Sequence, residues 1–80
     1  MKARVHVSLK PGVLDPQGKA VQHALVSLGF SEAREVRVGR FFDLVLDGAD
    51  PAAAEARLKE MSDRLLANPV IENFKVEILG

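Results

Sequence analysis

From Ala3 to Leu9 apolar and polar residues alternate strictly, with Ala3, Val5, Val7 and Leu9 on one side and Arg4, His6 and Ser8 on the other. A period of two with one apolar side predicts a half-buried strand. Lys10-Pro11-Gly12 breaks the alternation, and the period changes after Asp15-Pro16. Asp accepts from the orphan amides of a first helical turn, and Pro at the first helical position gives up an N–H that has no intrahelical partner, so a helix starts there. Ala20, Val21, Ala24, Leu25 and Leu28 then recur one turn apart, opposite Lys19, Gln22, His23 and Ser27. The pattern predicts a helix that packs by one face, sees water by the other and stops at Gly29.

Residues 34 to 47 admit two readings. A two-residue hairpin turn at Gly39-Arg40 sets Val38 opposite Phe41 and Val36 opposite Asp43, which leaves Phe42, Leu44 and Leu46 on the face of Arg37. One continuous strand instead keeps Val36, Val38, Phe42, Leu44 and Leu46 in a single parity, with Arg40 its only polar member and Gly39 the place for a bend or bulge. The long bent strand is the preferred reading, and a longer or bulged hairpin loop is the alternative. At about 3.3 Å per residue the long strand overhangs the first one, and an overhanging edge invites a second subunit.

Asp50-Pro51 repeats the cap chemistry of Asp15-Pro16. The helix it opens is expected to turn Ala54, Leu58, Met61 and Leu65 inward and to carry the pairs Glu55/Lys59 and Glu60/Arg64 on its outer surface. Asn68-Pro69 ends it, and Phe74, Val76 and Ile78 alternate with Asn73, Lys75 and Glu77 in a last strand. The order strand, helix, long strand, helix, strand reads as a weak internal duplication. It predicts an α+β fold on a ferredoxin-like, split β-α-β plan, an antiparallel sheet with two helices on one face.

Eighty residues suit a single domain spanning 1–80. A chain that short buries only ~60% of its unfolded surface, so a partner surface would stabilise it. The 48% hydrophobic and 28% charged fractions are those of an ordinary folded chain. Eleven basic and eleven acidic residues cancel, which removes any general attraction to a phosphate backbone or an anionic bilayer and disfavours nucleic acid and membrane as partners. The absence of cysteine fits a reducing cytoplasm. No run of strongly apolar residues exceeds three, far short of a signal peptide or a membrane span.

Candidate chemistry is sparse. There is no Cys, Thr or Tyr, and Ser8, Ser27, Ser31 and Ser62 lie in no nucleophile motif. His6 and His23 have no metal-ligand spacing and read as surface or interface residues. Asp43 and Asp47 on one strand face stand about 13 Å apart, too wide for a paired acid and base. Gly12 and Gly18 form no phosphate-binding loop. Residues 38–45 are similar to an RNA-recognition strand, yet only Phe41 points outward and the basic surface is missing. Arg40, which interrupts an apolar parity, and Phe41 and Val45, which join the polar side of the first strand, give a mixed sheet face that reads as an interface, so a homo-oligomer is expected.

The run Leu14-Asp15-Pro16-Gln17-Gly18-Lys19-Ala20-Val21-Gln22-His23-Ala24-Leu25 closely resembles the PurS family, the small subunit of bacterial and archaeal phosphoribosylformylglycinamidine (FGAM) synthase. Val36-Arg37-Val38-Gly39-Arg40, Leu44 and the stretch from Met61 through Leu65-Leu66-Ala67-Asn68-Pro69-Val70-Ile71-Glu72 agree with it as well, so the resemblance spans essentially the whole chain. Gly is a poor residue for a first helical turn, and Gly18 there points to close approach by another backbone.

The resemblance implies a non-catalytic subunit of a glutamine-dependent, ATP-using ligase in purine biosynthesis. In that complex a glutaminase (PurQ-like) subunit releases ammonia and a large synthetase (PurL-like) subunit holds ATP, magnesium and formylglycinamide ribonucleotide (FGAR). A PurS dimer bridges the two and helps pass ammonia between them. No catalytic residue, cofactor or metal is implied for this chain, and Asp15, Gln17, Gly18, His23, Arg40 and Phe41 are its candidate partner contacts. Ammonia must travel neutral and shielded from water, because a protonated nitrogen is no nucleophile. The main alternative is a small-ligand regulatory module, since Leu9-Lys10-Pro11-Gly12-Val13-Leu14 looks like the strand-to-helix turn of ACT domains. An RNA-binding sheet is the third reading.

Overall fold

The alternating N-terminal segment becomes the middle of a sheet. In the computed structural model, which describes all 80 residues, strand β1 (Lys2–Leu9) pairs antiparallel with β2 (Gly39–Val45) on one side and β3 (Glu72–Ile78) on the other. Val5 lies opposite both Phe42 and Val76, and Val7 opposite Arg40 and Phe74. Helix α1 (Pro16–Ser27) joins β1 to β2, and helix α2 (Pro51–Met61), continued by a π-helical turn over Ser62–Leu66, joins β2 to β3. The α+β class and the antiparallel split plan stand as expected.

Both helices start where the Asp-Pro pairs place them. Asp15 accepts from the Gly18 amide at 2.8 Å and Asp50 from the Ala52 amide at 3.1 Å, each followed by Pro in the first turn. Gly29 ends α1 with φ +100, a left-handed conformation that a side chain would strain.

Ala3, Val5 and Val7 of the central strand are buried together with Leu58 and Ala67, and Phe42, Leu44, Leu46, Met61, Leu66, Phe74, Val76 and Ile78 pack around them. The inward parity of all three strands therefore follows the sequence pattern. Arg40 joins that inward side, while Phe41 and Val45 join Arg4 and His6 on the other.

Three expectations are corrected. The long strand over 34–47 is confined to Gly39–Val45, with neither the overhang nor the hairpin at Gly39-Arg40. The amide of Val38, which would have continued the ladder, donates to the Asp15 carboxylate at 2.7 Å instead, and β1 has run out at Leu9. Leu65 does not face inward; it is 83% exposed. In the π turn the Ala67 amide reaches back five residues to Ser62, which inserts one extra residue into the helical phase and brings Leu66 to the core in Leu65's place. Finally, the apolar face of α1 does not pack within the chain. Gly18 is its only buried residue, Val21 is 42% and Leu28 74% exposed, and Ala20 and Ala24 are open to solvent. The molecule is drawn out accordingly, with a radius of gyration of 15.9 Å against about 12 Å for a compact chain of this length.

Candidate interface site

The start of α1 and the return segment 33–38 are tied together by three side chains. Asp15, almost fully buried, holds Gly18 through one oxygen and Val38 through the other. These two amide donors, Val38 first, keep its carboxyl below the usual 3.8. Arg37 donates to the Val13 carbonyl at 2.8 Å and the Lys10 carbonyl at 3.2 Å, and Gln22 donates to the Ala33 carbonyl at 3.0 Å. Gly18 completes the junction by having no side chain, because a Cβ there would collide with the carbonyl oxygen of Val36. Close backbone approach at Gly18 is thus met, and the approaching backbone is the chain's own.

Between these walls runs a cleft of about 340 Å³, lined by Lys19 and His23 of α1, by Arg34, Glu35 and Arg37 of the return segment, and by Asp15. Of the sequence-derived candidates, Asp15, Gly18 and His23 come together here, and Gln17 is exposed in the same first turn.

Arg40 lies elsewhere, and its guanidinium is engaged within the chain. It forms a two-pronged pair with Glu72 at 2.6 and 3.1 Å, donates to the Leu66 carbonyl at 2.9 Å and lies 5.6 Å from the Phe42 ring centre. The helix ends at Leu66, which leaves that carbonyl without a partner in the helical ladder, so Arg40 closes one end of the core by linking the first residues of β2, the end of the π turn and the start of β3. Glu72 also accepts from the Asn68 amide at 2.7 Å. Arg40 foremost, and then Asn68, lower its pKa.

Phe41 occupies a third place, the sheet face that no helix covers. Arg4 pairs with Asp43 at 2.7 and 3.3 Å and lies over the Phe41 ring at 4.5 Å, while His6 stands 3.8 Å from Glu77. The bond to Arg4 lowers the Asp43 pKa. Phe41 is 57% exposed in the middle of this charged lattice. Sequence reasoning missed Arg4, Arg37 and Glu72 as organising residues. The alternation of β1 against β2 could have paired Arg4 with Asp43, but nothing local links Arg37 to Val13 or Arg40 to Glu72 across 24 and 32 residues.

No group of three His, Asp or Glu side chains is placed to hold a metal ion, and every buried side-chain N or O has a hydrogen-bond partner. No helix is long and apolar enough to cross a membrane. What the chain does offer is contact surface: the exposed flank of α1 and the open sheet face around Phe41.

Comparison with known proteins gives a consistent result. The profile of the family described as PurS, phosphoribosylformylglycinamidine (FGAM) synthase, matches residues 2–80. The phosphoribosylformylglycinamidine synthase subunit PurS of Bacillus subtilis is 47% identical over 77 residues, covering 96% of this chain and 90% of the relative. A crystal structure of B. subtilis PurS superposes with a TM-score of 0.88 at 46% identity, covering 99% of this chain and 98% of that one. A chain from the structure of PurLQS from Thermotoga maritima also superposes with a TM-score of 0.88, at 26% identity and 98% and 95% coverage.

Proposed function

Because the chain belongs to the PurS family of phosphoribosylformylglycinamidine synthase subunits, we propose that it is the non-catalytic bridge of that synthase in de novo purine biosynthesis, joining the glutaminase to the synthetase. All 80 residues act as one PurS-like domain. The glutaminase subunit releases ammonia, and the synthetase subunit uses it with ATP and magnesium to turn FGAR into FGAM in the cytoplasm. This chain supplies walls and contacts that keep the ammonia neutral and out of water; it binds no cofactor itself.

The observation that carries this reading is the unpaired apolar surface. The flank of α1 leaves Val21 and Leu28 in solvent, and the β2 side of the sheet leaves Phe42, Leu44 and Leu46 half-buried beside a groove of about 340 Å³ along Leu46, Ala53, Ala54 and Met61. The α1 flank finds no apolar partner inside the chain, and Phe42, Leu44 and Leu46 are covered by the core on one side only. Two copies exchanging α1 flanks would cover both, which supports a homodimer as the working unit. The faces left over, with Phe41, Gln17, His23 and Arg40 at their margins, are then the contacts for the two larger subunits, while Asp15 and Gly18, buried in the junction, hold that surface in shape from beneath.

Reconstitution tests the bridge. Glutaminase and synthetase should form FGAM from glutamine when this chain is added and lose that coupling without it, while turnover with ammonium salts persists. Equal glutamine-driven rates with and without the chain overturn the reading.

A further inference from the structure

We infer that the cleft between α1 and residues 34–37 binds a phosphate group, as the free ion or as the ester of a small molecule. Of the eleven Lys and Arg residues, Arg4, Arg40, Arg57, Lys59 and Arg64 are taken up in ion pairs with Asp or Glu. Three of the other six, Lys19, Arg34 and Arg37, line this one cleft, and His23 stands one turn from Lys19 on the same flank. In a chain of zero net charge, half of the cations without a carboxylate partner therefore stand around one concave place, Arg37 among them also holding the Val13 and Lys10 carbonyls.

Two carboxylates share the cleft. Asp15 is already committed to the Gly18 and Val38 amides, so Glu35 is the one anion there without such a commitment. The first turn of α1 contains no acidic residue. The walls are also prebuilt: Asp15 to Val38, Arg37 to Val13 and Lys10, and Gln22 to Ala33 fix the return segment against the helix. A ligand entering does not have to organise the segment first. Guanidinium and ammonium groups converging from two walls suit a dianion with three acceptor oxygens better than a carboxylate with two. The inference concerns the single chain and does not rest on the bridging role.

Nuclear magnetic resonance titration of the full chain, in the oligomer it forms, tests it with four probes at matched ionic strength: inorganic phosphate, ribose 5-phosphate, acetate and chloride. Phosphate or ribose 5-phosphate should give saturable shifts confined to the amides of residues 14–23 and 34–38 and to the His23 ring. Tighter binding of ribose 5-phosphate supports an ester ligand, and tighter binding of phosphate supports the free ion. K19Q together with R34Q, both at exposed positions without hydrogen-bond partners, should weaken binding about tenfold or more with melting temperature unchanged. K19Q alone should give a smaller loss, which keeps the test usable if the double variant folds poorly. Shifts that never saturate, that spread equally to Lys2, Lys10 and Lys75, that chloride reproduces, or that the variants leave intact overturn the site.

Discussion

Gly18 in the first turn of α1 lies directly against the carbonyl oxygen of Val36, with no room for a methyl group between them. The contact brings Val38 within reach of Asp15 and so decides where β2 begins. On helix propensity alone Gly18→Ala should stabilise α1 by about 1 kcal/mol. The contact reverses the sign. The backbone of 36–38 must move, the Val38 amide loses Asp15, and a net loss of about 1–3 kcal/mol is expected in chemical denaturation. A variant as stable as the parent would mean that the junction is loose.

The phase shift in the π turn makes a second prediction. Leu58 is fully buried, and Leu58→Ala should cost about 2–5 kcal/mol. Leu65, seven residues on and in phase with it in a regular α-helix, should lose no more than about 0.5 kcal/mol as Leu65→Ala in the isolated chain. Leu66→Ala should be the costlier of the two adjacent substitutions. Urea unfolding of the three variants distinguishes the π phase from a regular helix, which would reverse the order of Leu65 and Leu66.

Much of this was legible in the sequence because it is local. The Asp-Pro pairs fix both helix starts, and strict alternation fixes the inward parity of Val5, Phe42 and Val76. What the sequence could not display is competition between distant groups. Val36 and Val38 have strand parity, but the Val38 amide goes to a carboxylate 23 residues earlier instead of to a neighbouring strand. Arg40 looked like an unexplained polar interruption because Glu72, its partner, is 32 residues away. Helix α1 has the period of a packed helix, and periodicity cannot say whether the surface it packs on belongs to its own chain.

Stability should fall in acid, and the pKa shifts give the sign. Glu72 is held below its ordinary 4.5 by Arg40 and the Asn68 amide, Asp15 below 3.8 by the Val38 and Gly18 amides, and Asp43 below 3.8 by Arg4. Each binds its proton less readily folded than unfolded, so its ionisation favours the fold. That contribution is fully present above the unfolded values and is lost as pH falls through the lower folded ones. Melting temperature should be level from about pH 7 to 5 and drop below about pH 4. Glu72→Gln should melt lower at neutral pH and show a smaller acid drop, since the titrating member of the Arg40 pair is gone. An identical acid slope in parent and variant would remove Glu72 from this account.

The exposed flank of α1 separates the needs of the chain from those of the assembly. Val21 and Leu28 contribute little to the core of a single chain, so the pair Val21→Asp and Leu28→Asp should leave the sheet intact, with unchanged strand content by circular dichroism. A charge on each of two facing apolar surfaces is costly once they are buried, because neither carboxylate finds a partner there. Light scattering should therefore report dissociation of the homo-oligomer. In the reconstituted synthase the same variant should abolish glutamine-driven FGAM formation while ammonium-driven formation continues in the synthetase. If the oligomer survives both charges, the flank of α1 is not its interface, and the apolar surface left open by the chain must be covered by one of the larger subunits instead.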